Sequence, residues 1–372
     1  MKRKKAKRRP AGELIAEALA LQERGAGPEA EARYREVLRH EPEHHAALNL
    51  LAMTLIERGE AAAAAPLIER AIALAPGVAW YHLNLGHAHA AAGRDDAAVA
   101  AMTASSERDA DSAIPHYDLA RHHLRHARPG AALAALREVV ARDPAHDRAR
   151  FLIASLTGGH AATAPADYVT ELFDSYAPGF EAHLVDALGY RAPAQLAELV
   201  AADEAPRRAW RAIDLGCGSG LGGAAFRDFA RHLIGSDLSP RMVELARRRG
   251  VYDELHVEDL VDTLGRAAGD ADLVVAADVF IYVGALDRAF AAAARALAPG
   301  GRFAFSTERD GGDGYRLLPS SRYAHGDDYV RRLAEHTGFV VREARSTTLR
   351  VDHGQPIAGI LYLLARRPAT AP

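Results

Sequence analysis

Residues Ala212-Ile-Asp-Leu-Gly-Cys-Gly-Ser-Gly-Leu-Gly-Gly223 decide the fold class of the C-terminal part of this chain. A short apolar run carries one acid, Asp214, and then breaks into glycines. A helical segment over 224–232 is expected to follow. Strand, glycine turn and helix in that order bring backbone close to a nucleotide-like ligand, because glycine has no Cβ to block the approach.

Downstream, short apolar runs alternate with amphipathic ones. Strands are expected over 211–215, 233–237, 254–257, 272–276 and 302–306, with helices such as 240–249 and 285–298 between them. That alternation predicts a mostly parallel sheet covered by helices on both faces. Two longer strands, 339–349 and 359–365, are joined by a loop holding His353 and Pro356 and predict an antiparallel finish.

In such sheets ligands bind beyond the carboxyl ends of the strands. Four sets of residues fall there. Asp214, Gly216, Cys217, Gly218 and Gly220 follow the first strand. Asp237 ends the second, where a carboxylate can accept from both ribose hydroxyls. Glu258 and Asp259 follow the third, where an acid can accept from an adenine amino group, and Asp278 follows the fourth. The stretch Gly218-Ser-Gly220-Leu-Gly-Gly223 also satisfies the general GxGxxG pattern of nicotinamide enzymes. Asp214, placed where dinucleotide folds usually have an apolar residue, points away from that class.

Upstream the signal is repetition. Pro42, Pro76 and Pro144 fall on a 34-residue grid with Ala110 in the missing slot. Gly25, Gly59 and Gly93 form a second register with Ala127 in the fourth place, and Ala30, Ala64, Ala98 and Ala132 form a third. Three registers with one period predict stacked helical hairpins. Glycine ends the first helix of each unit, a small alanine lets the two helices approach, and proline stops the second. The array is rich in histidine: His122, His123 and His126 could place two rings on one helix face, and His89 and His123 take a position that suits a packing ring. Packing is the expectation for them, with no metal site.

Residues 1–10 are expected to be a disordered basic tail, residues 11–157 the repeats with a capping helix, 158–166 a linker and 167–372 the second domain. Aromatics cluster just after the linker, at Tyr168, Phe173, Tyr176, Phe180 and Tyr190, and could cover the ligand or simply pack.

Composition sets outer limits. The chain has 372 residues and a net charge of −3, with seven of its 46 basic residues, including every lysine, within residues 2–9. The remainder carries 39 basic against 49 acidic residues, so nucleic-acid binding is not expected of the folded body. No apolar run approaches the roughly 18 residues of a membrane helix. A single cysteine, Cys217, rules out an internal disulfide framework and suits a reducing cytoplasm.

The repeats resemble the tetratricopeptide repeat, most closely at Leu83-Asn-Leu-Gly86. The second domain resembles class I S-adenosylmethionine-dependent methyltransferases, on Asp214–Gly220, Asp237 with Met242, Asp259 and the Leu297-Ala-Pro-Gly-Gly301 turn. The combination, with Leu172-Phe-Asp-Ser-Tyr176, resembles bacterial methyltransferases that carry such repeats. The resemblance implies an α-helical solenoid followed by a Rossmann-like domain, S-adenosyl-L-methionine as cofactor, and a protein or peptide partner on the repeats. It also implies roles: Asp237 on the ribose, Asp259 on the adenine, and Asp214 with the Gly216–Gly220 loop at the methionine end, with Leu238, Met242 and Leu260 beside them. A general base is optional, since the sulfonium itself activates the methyl group. The candidates are His325, Tyr282, Tyr176, Tyr323 and His353, with His325 foremost because it follows an apparent loop insertion over 315–322.

Overall fold

The computed structural model describes residues 9–177, 180–181, 189–205, 208–267, 269–352 and 354–368. Most of the basic tail and His353 therefore lie outside the described residues. The chain forms two compact units that divide between Ala149 and Arg150. No helix among the described residues is long and apolar enough to cross a membrane.

The first unit is a run of helical hairpins: α1 (Ala11–Glu23) with α2 (Gly27–His40), α3 (His45–Glu57) with α4 (Ala61–Leu74), α5 (Ala79–Ala91) with α6 (Asp95–Arg108), and α7 (Ile114–Arg125) with α8 (Pro129–Arg142). The 34-residue registers each have a structural cause. Gly25, Gly59 and Gly93 turn between paired helices at φ of 75°, 83° and 69°, and Ala127 takes the same left-handed conformation at 52°. Ala30, Ala64, Ala98 and Ala132 are all fully buried, where a larger side chain would force the helices apart. Arginine adds a clamp at the same period: Arg108 Nε donates to Pro76 O and Arg142 Nε to Ala110 O.

The helix α9 (Asp147–Thr157) crosses the division. Its Phe151 ring lies 5.0 Å from Tyr168 and 6.3 Å from Tyr323, so part of the expected capping helix packs in the second unit. The expected linker is likewise tied down: Gly284 and Ala285 donate to Ala162 O, and Ala164 donates to Tyr282 O.

The second unit continues with α10 (Ala166–Tyr176), α11 (Ala192–Asp203), β1 (Trp210–Leu215), α12 (Leu221–Phe226), β2 (Ala230–Asp237), α13 (Pro240–Arg249), β3 (Glu254–Val257), α14 (Leu260–Arg266) and β4 (Ala271–Ala276). A 3-10 turn (Phe280–Tyr282) leads to α15 (Asp287–Ala296), β5 (Leu297–Asp310), β6 (Tyr315–Leu317), β7 (Tyr323–Gly326), α16 (Asp327–His336), β8 (Phe339–Asp352) and β9 (Gln355–Arg366). The sheet order is β3-β2-β1-β4-β5-β7-β6. The first five strands are parallel, and β9 pairs antiparallel with both β5 and β8. Thus the mostly parallel sheet with an antiparallel end is the observed architecture.

Two local expectations change. The helix expected over 224–232 ends at Phe226, and β2 starts at Ala230. Phe229 turns inward to stack on Trp210, Phe226 packs on Phe229, and Arg227 bridges Ala230 O and Val251 O, which ends the helix early. The Leu297–Gly301 turn lies inside β5 as a bulge, since Ala271 pairs with Leu297 but Leu273 with Arg302.

Candidate cofactor and acceptor site

The glycine loop after β1 is held against the end of β2. Cys217 N–H donates to Ser236 O at 2.8 Å, and Gly218 N–H donates to Asp237 Oδ2 at 3.0 Å. Asp237 Oδ1 accepts from Ser239 N–H at 2.9 Å, and Ser239 Oγ caps α13 through Met242 N–H at 3.0 Å. The loop residues Gly216, Gly218 and Gly220 all have left-handed φ, of 58°, 53° and 92°, which L side chains resist. A Cβ on Gly216 would also lie 2.7 Å from Val279 Cγ2. Asp237 is buried, and burial raises its carboxyl while the backbone N–H groups oppose the shift.

Asp214 is buried at the end of β1. Its Oδ2 accepts from the Tyr252 phenol at 2.6 Å, and that phenol accepts from Gly223 N–H at 2.9 Å. The glycines at 222 and 223 are therefore needed by the protein's own side chains. A Cβ on Gly222 would sit 2.5 Å from Asp214 Oδ2, and one on Gly223 would overlap the Tyr252 ring. Burial pushes the Asp214 carboxyl up to about 7, against the pull of the Tyr252 hydrogen bond.

A cavity of about 440 Å³ opens above these strand ends. It lies within the range of small-molecule sites, roughly 300–1,000 Å³. Of the residues singled out in the sequence, Asp214, Gly216, Cys217, Gly218, Asp237, Leu238, Glu258, Asp259, Leu260 and Asp278 all line it. Gly220 and Met242 do not: Gly220 forms the left-handed start of α12, and Met242 is fully buried in α13. Glu258 is turned toward Thr263 and Arg266, with Arg266 at 2.7 Å. Asp259 caps α14, its Oδ1 accepting from Val261 N–H at 2.8 Å. Cys217 is buried, and burial pushes its thiol well above the usual value, so it is no nucleophile at neutral pH.

The far wall is aromatic. Phe173, Tyr176 and Phe180 line it with Tyr282 and Tyr190, and the Phe173 ring meets Tyr282 at 5.5 Å and Phe180 at 6.1 Å. Tyr168 points elsewhere and packs on Phe151. Burial pushes the Tyr282 phenol up to about 12 despite a nearby Arg322.

The foremost candidate base is corrected. His325 lies in β7, fully buried and away from the cavity lining, with Nε2 facing Val283 O at 3.0 Å and Gly284 O at 3.1 Å. Burial pulls its pKa down to about 4. The apparent insertion is a β-hairpin that buries this ring, so His325 holds structure. Tyr323 is also fully buried outside the lining, and His353 lies outside the described residues. Tyr282 and Tyr176 remain on the cavity wall.

Sequence reasoning missed an ion-pair group on the same wall. Arg350, 2% exposed, donates to both oxygens of Asp278 at 3.1 and 2.9 Å and also to Glu308. Asp278 itself has a left-handed φ of 61°, and its N–H donates to Ser306 Oγ at 2.8 Å. Arg322 lines the cavity and donates to Asp352 at 2.8 Å. The available signal was a charged residue inside the apolar run Leu349-Arg350-Val351.

These residues fit S-adenosylmethionine. The loop presents bare backbone: a Cβ on Gly218 would meet nothing nearer than Phe180, at 3.9 Å. Asp237 offers a buried carboxylate for ribose hydroxyls, Leu238 and Leu260 offer apolar surface for a base, and Asp214 offers a carboxylate for an ammonium.

Residues 213–305 match the family model described as a methyltransferase domain. Residues 15–79, 55–113 and 117–156 match the tetratricopeptide repeat model. A ubiquinone biosynthesis O-methyltransferase of Xanthomonas axonopodis pv. citri is 31% identical over 163 residues, 41% of this chain and 66% of that protein. Its counterpart in Xanthomonas oryzae pv. oryzae is 30% identical over 101 residues, 26% of this chain, and the match spans 42% of that protein's length. Among solved structures, the [4+2]-cyclase SpnF is similar with a TM-score of 0.46 and 16% identity, over 57% of this chain and 100% of that one. The chain is therefore a tetratricopeptide-repeat protein that carries a methyltransferase domain of class I, the class whose methyl donor is S-adenosylmethionine.

Proposed function

We propose that this protein transfers a methyl group from S-adenosylmethionine to an acceptor held against the aromatic wall of the second unit, with the repeats recruiting a protein or peptide partner or a carrier-bound substrate. The observation that carries the reading is convergence: residues from the ends of β1, β2, β3 and β4 line one cavity beside the glycine loop.

When bound, S-adenosylmethionine supplies an electrophilic methyl group on a sulfonium. The chain then has to orient the reactants and exclude water. In this reading Asp237 holds the ribose, Asp259 and Leu260 the adenine, and Asp214 with Gly216 and Gly218 the amino-acid end. Phe173, Tyr176 and Tyr282 enclose the acceptor, and Arg322 and Arg350 fix the wall behind it. Tyr282, a neutral phenol at physiological pH, donates a hydrogen bond and does not take a proton. The acceptor is thus a group already nucleophilic near neutrality. A reducing, cytoplasmic setting belongs to the same reading, supported by the single buried cysteine.

The test is calorimetric titration with S-adenosylmethionine, S-adenosylhomocysteine and NADH, for the wild type and Asp237→Ala. Micromolar binding of the first two, lost in the variant, is expected. Binding of NADH alone would overturn the reading.

A second reading, a free small-molecule acceptor, is favoured by one observation. Every cavity-lining residue falls between Thr163 and Arg350, inside the second unit. A cell extract incubated with the protein and labelled methyl donor separates the two. Label in the macromolecular fraction supports recruitment by the repeats, and label confined to the low-mass fraction supports the small molecule.

A further inference from the structure

The first unit holds a group of side chains that the methyl-transfer reading does not use. Asp95 opens α6, and His122 and His126 stand one helical turn apart at the end of α7. Residues four apart on a helix share a face, so both rings point to one side. One ligand atom from each of the three lies within 4.8 Å of the other two.

The hydrogen bonds at His126 leave a conflict. Its Nδ1 lies 2.8 Å from His122 O, a carbonyl that can only accept, so a ring proton on Nδ1 satisfies both atoms. Its Nε2 lies 3.0 Å from Asp95 Oδ1. A neutral ring has one N–H, so Nε2 would then face a carboxylate with a bare lone pair. A metal ion between the two would satisfy both atoms. His122 adds an independent sign. It is fully buried, its ring centroid is 4.3 Å from that of His126, and neither of its nitrogens has a hydrogen-bond partner among the described residues. Leaving both a buried donor and a buried acceptor unsatisfied is costly.

We propose that Asp95, His122 and His126 bind one divalent transition-metal ion, zinc by ligand class, between the start of α6 and the end of α7. Two imidazoles and one carboxylate suit zinc, and two ligands of one tetrahedral zinc lie roughly 3.3 Å apart, close to the observed Nε2–Oδ1 separation. The Nδ1–carbonyl bond at His126 is the outer-shell contact that orients a ligating histidine. Three protein ligands leave a fourth position open. The ion joins the third hairpin to the fourth, so it stiffens the array there. Arg125 stands nearby and opposes the added charge, while Asp95 offsets it.

The test uses the full chain after chelator treatment, titrated with zinc chloride at about pH 7.5, where histidine is mostly neutral. The chain has 18 histidines, so the tight, one-equivalent step is the readout. His126→Gln and Asp95→Asn are the chosen variants because both side chains are about a third exposed and their loss spares the core. The expected result is a stoichiometric step in the wild type that weakens at least tenfold in each variant, with the far-ultraviolet circular dichroism unchanged. Zinc should also raise the melting temperature of the wild type and of neither variant. A step of equal affinity in both variants, or no stoichiometric step in the wild type, would overturn the proposal.

Discussion

The Tyr252 phenol reaches across from the loop before β3 to donate a 2.6 Å hydrogen bond to Asp214 at the end of β1. One hydroxyl thus serves a buried carboxylate and a backbone N–H, and three glycines are needed to seat it. Cβ atoms at Gly222, Gly223 or Gly235 would collide with Asp214 or with the Tyr252 ring. The glycines of this loop divide between two tasks: 216 and 218 take left-handed turns beside the cavity, and 222 and 223 make room for internal packing.

Tyr252→Phe should cost about 1–3 kcal/mol, because it leaves a buried carboxylate and a buried N–H without their partner. It should also raise the Asp214 titration further, since the phenol lowers it in the wild type. Denaturant unfolding of the two proteins checks the first effect. An unchanged unfolding midpoint would show that the hydroxyl contributes nothing.

Asp214 gives the protein a defined pH response. Its folded-state carboxyl is raised to about 7 from 3.8, so folding favours the protonated form. The stability it contributes is complete below about pH 4 and is lost as pH rises through 7. Asp214→Asn removes this titration. The stability difference between wild type and variant should therefore shift against the wild type from about pH 5 to pH 8, by a few kcal/mol at most. Cofactor affinity should move the opposite way, since an ammonium attracts the ionised carboxylate. Calorimetry at about pH 6 and pH 8 should show tighter binding of S-adenosylmethionine at the higher value, with the difference absent in the variant.

Arg350→Met should destabilise the second unit by roughly 3–5 kcal/mol, because it strands the carboxylates of Asp278 and Glu308. Adding Asp278→Asn and Glu308→Gln to the same chain should restore most of that loss. Thermal unfolding of the single and triple variants distinguishes a charge imbalance from a simple loss of side-chain volume, which the triple variant would not repair.

Ala127→Gly should stabilise the repeats. Ala127 is the only member of its 34-residue register that holds a left-handed φ with a Cβ. That conformation costs an L residue roughly 1–2 kcal/mol, of which glycine's greater unfolded-state freedom takes back part. A rise in melting temperature of a few degrees is expected. A fall would mean that the unfolded-state term dominates.

Much of the site was legible because it rests on backbone geometry. Left-handed glycines, an acid at a strand end and a helix cap are local, and sequence spacing reports them. Asp214, Asp237 and Asp259 all line the cavity. His325 was misread for the complementary reason. Its neighbours in sequence are polar and suggest a loop, but pairing of Tyr315 with His325 turns the segment into a hairpin whose inner face is buried.

The sequence by itself determined the period of the repeats, the alternation of strands and helices, and the order of the acids along the sheet. Each follows from spacing along one stretch of chain. Only the tertiary structure decided what those groups touch. Arg350 meets Asp278 and Glu308 because β9 inserts antiparallel beside β5 and carries β8 with it, closing separations of 72 and 42 residues. Tyr252 meets Asp214 across 38 residues because β2 lies between β1 and β3. Strand order sets these long-range contacts, and with them which carboxylates are neutral, which are paired and which remain open to a ligand.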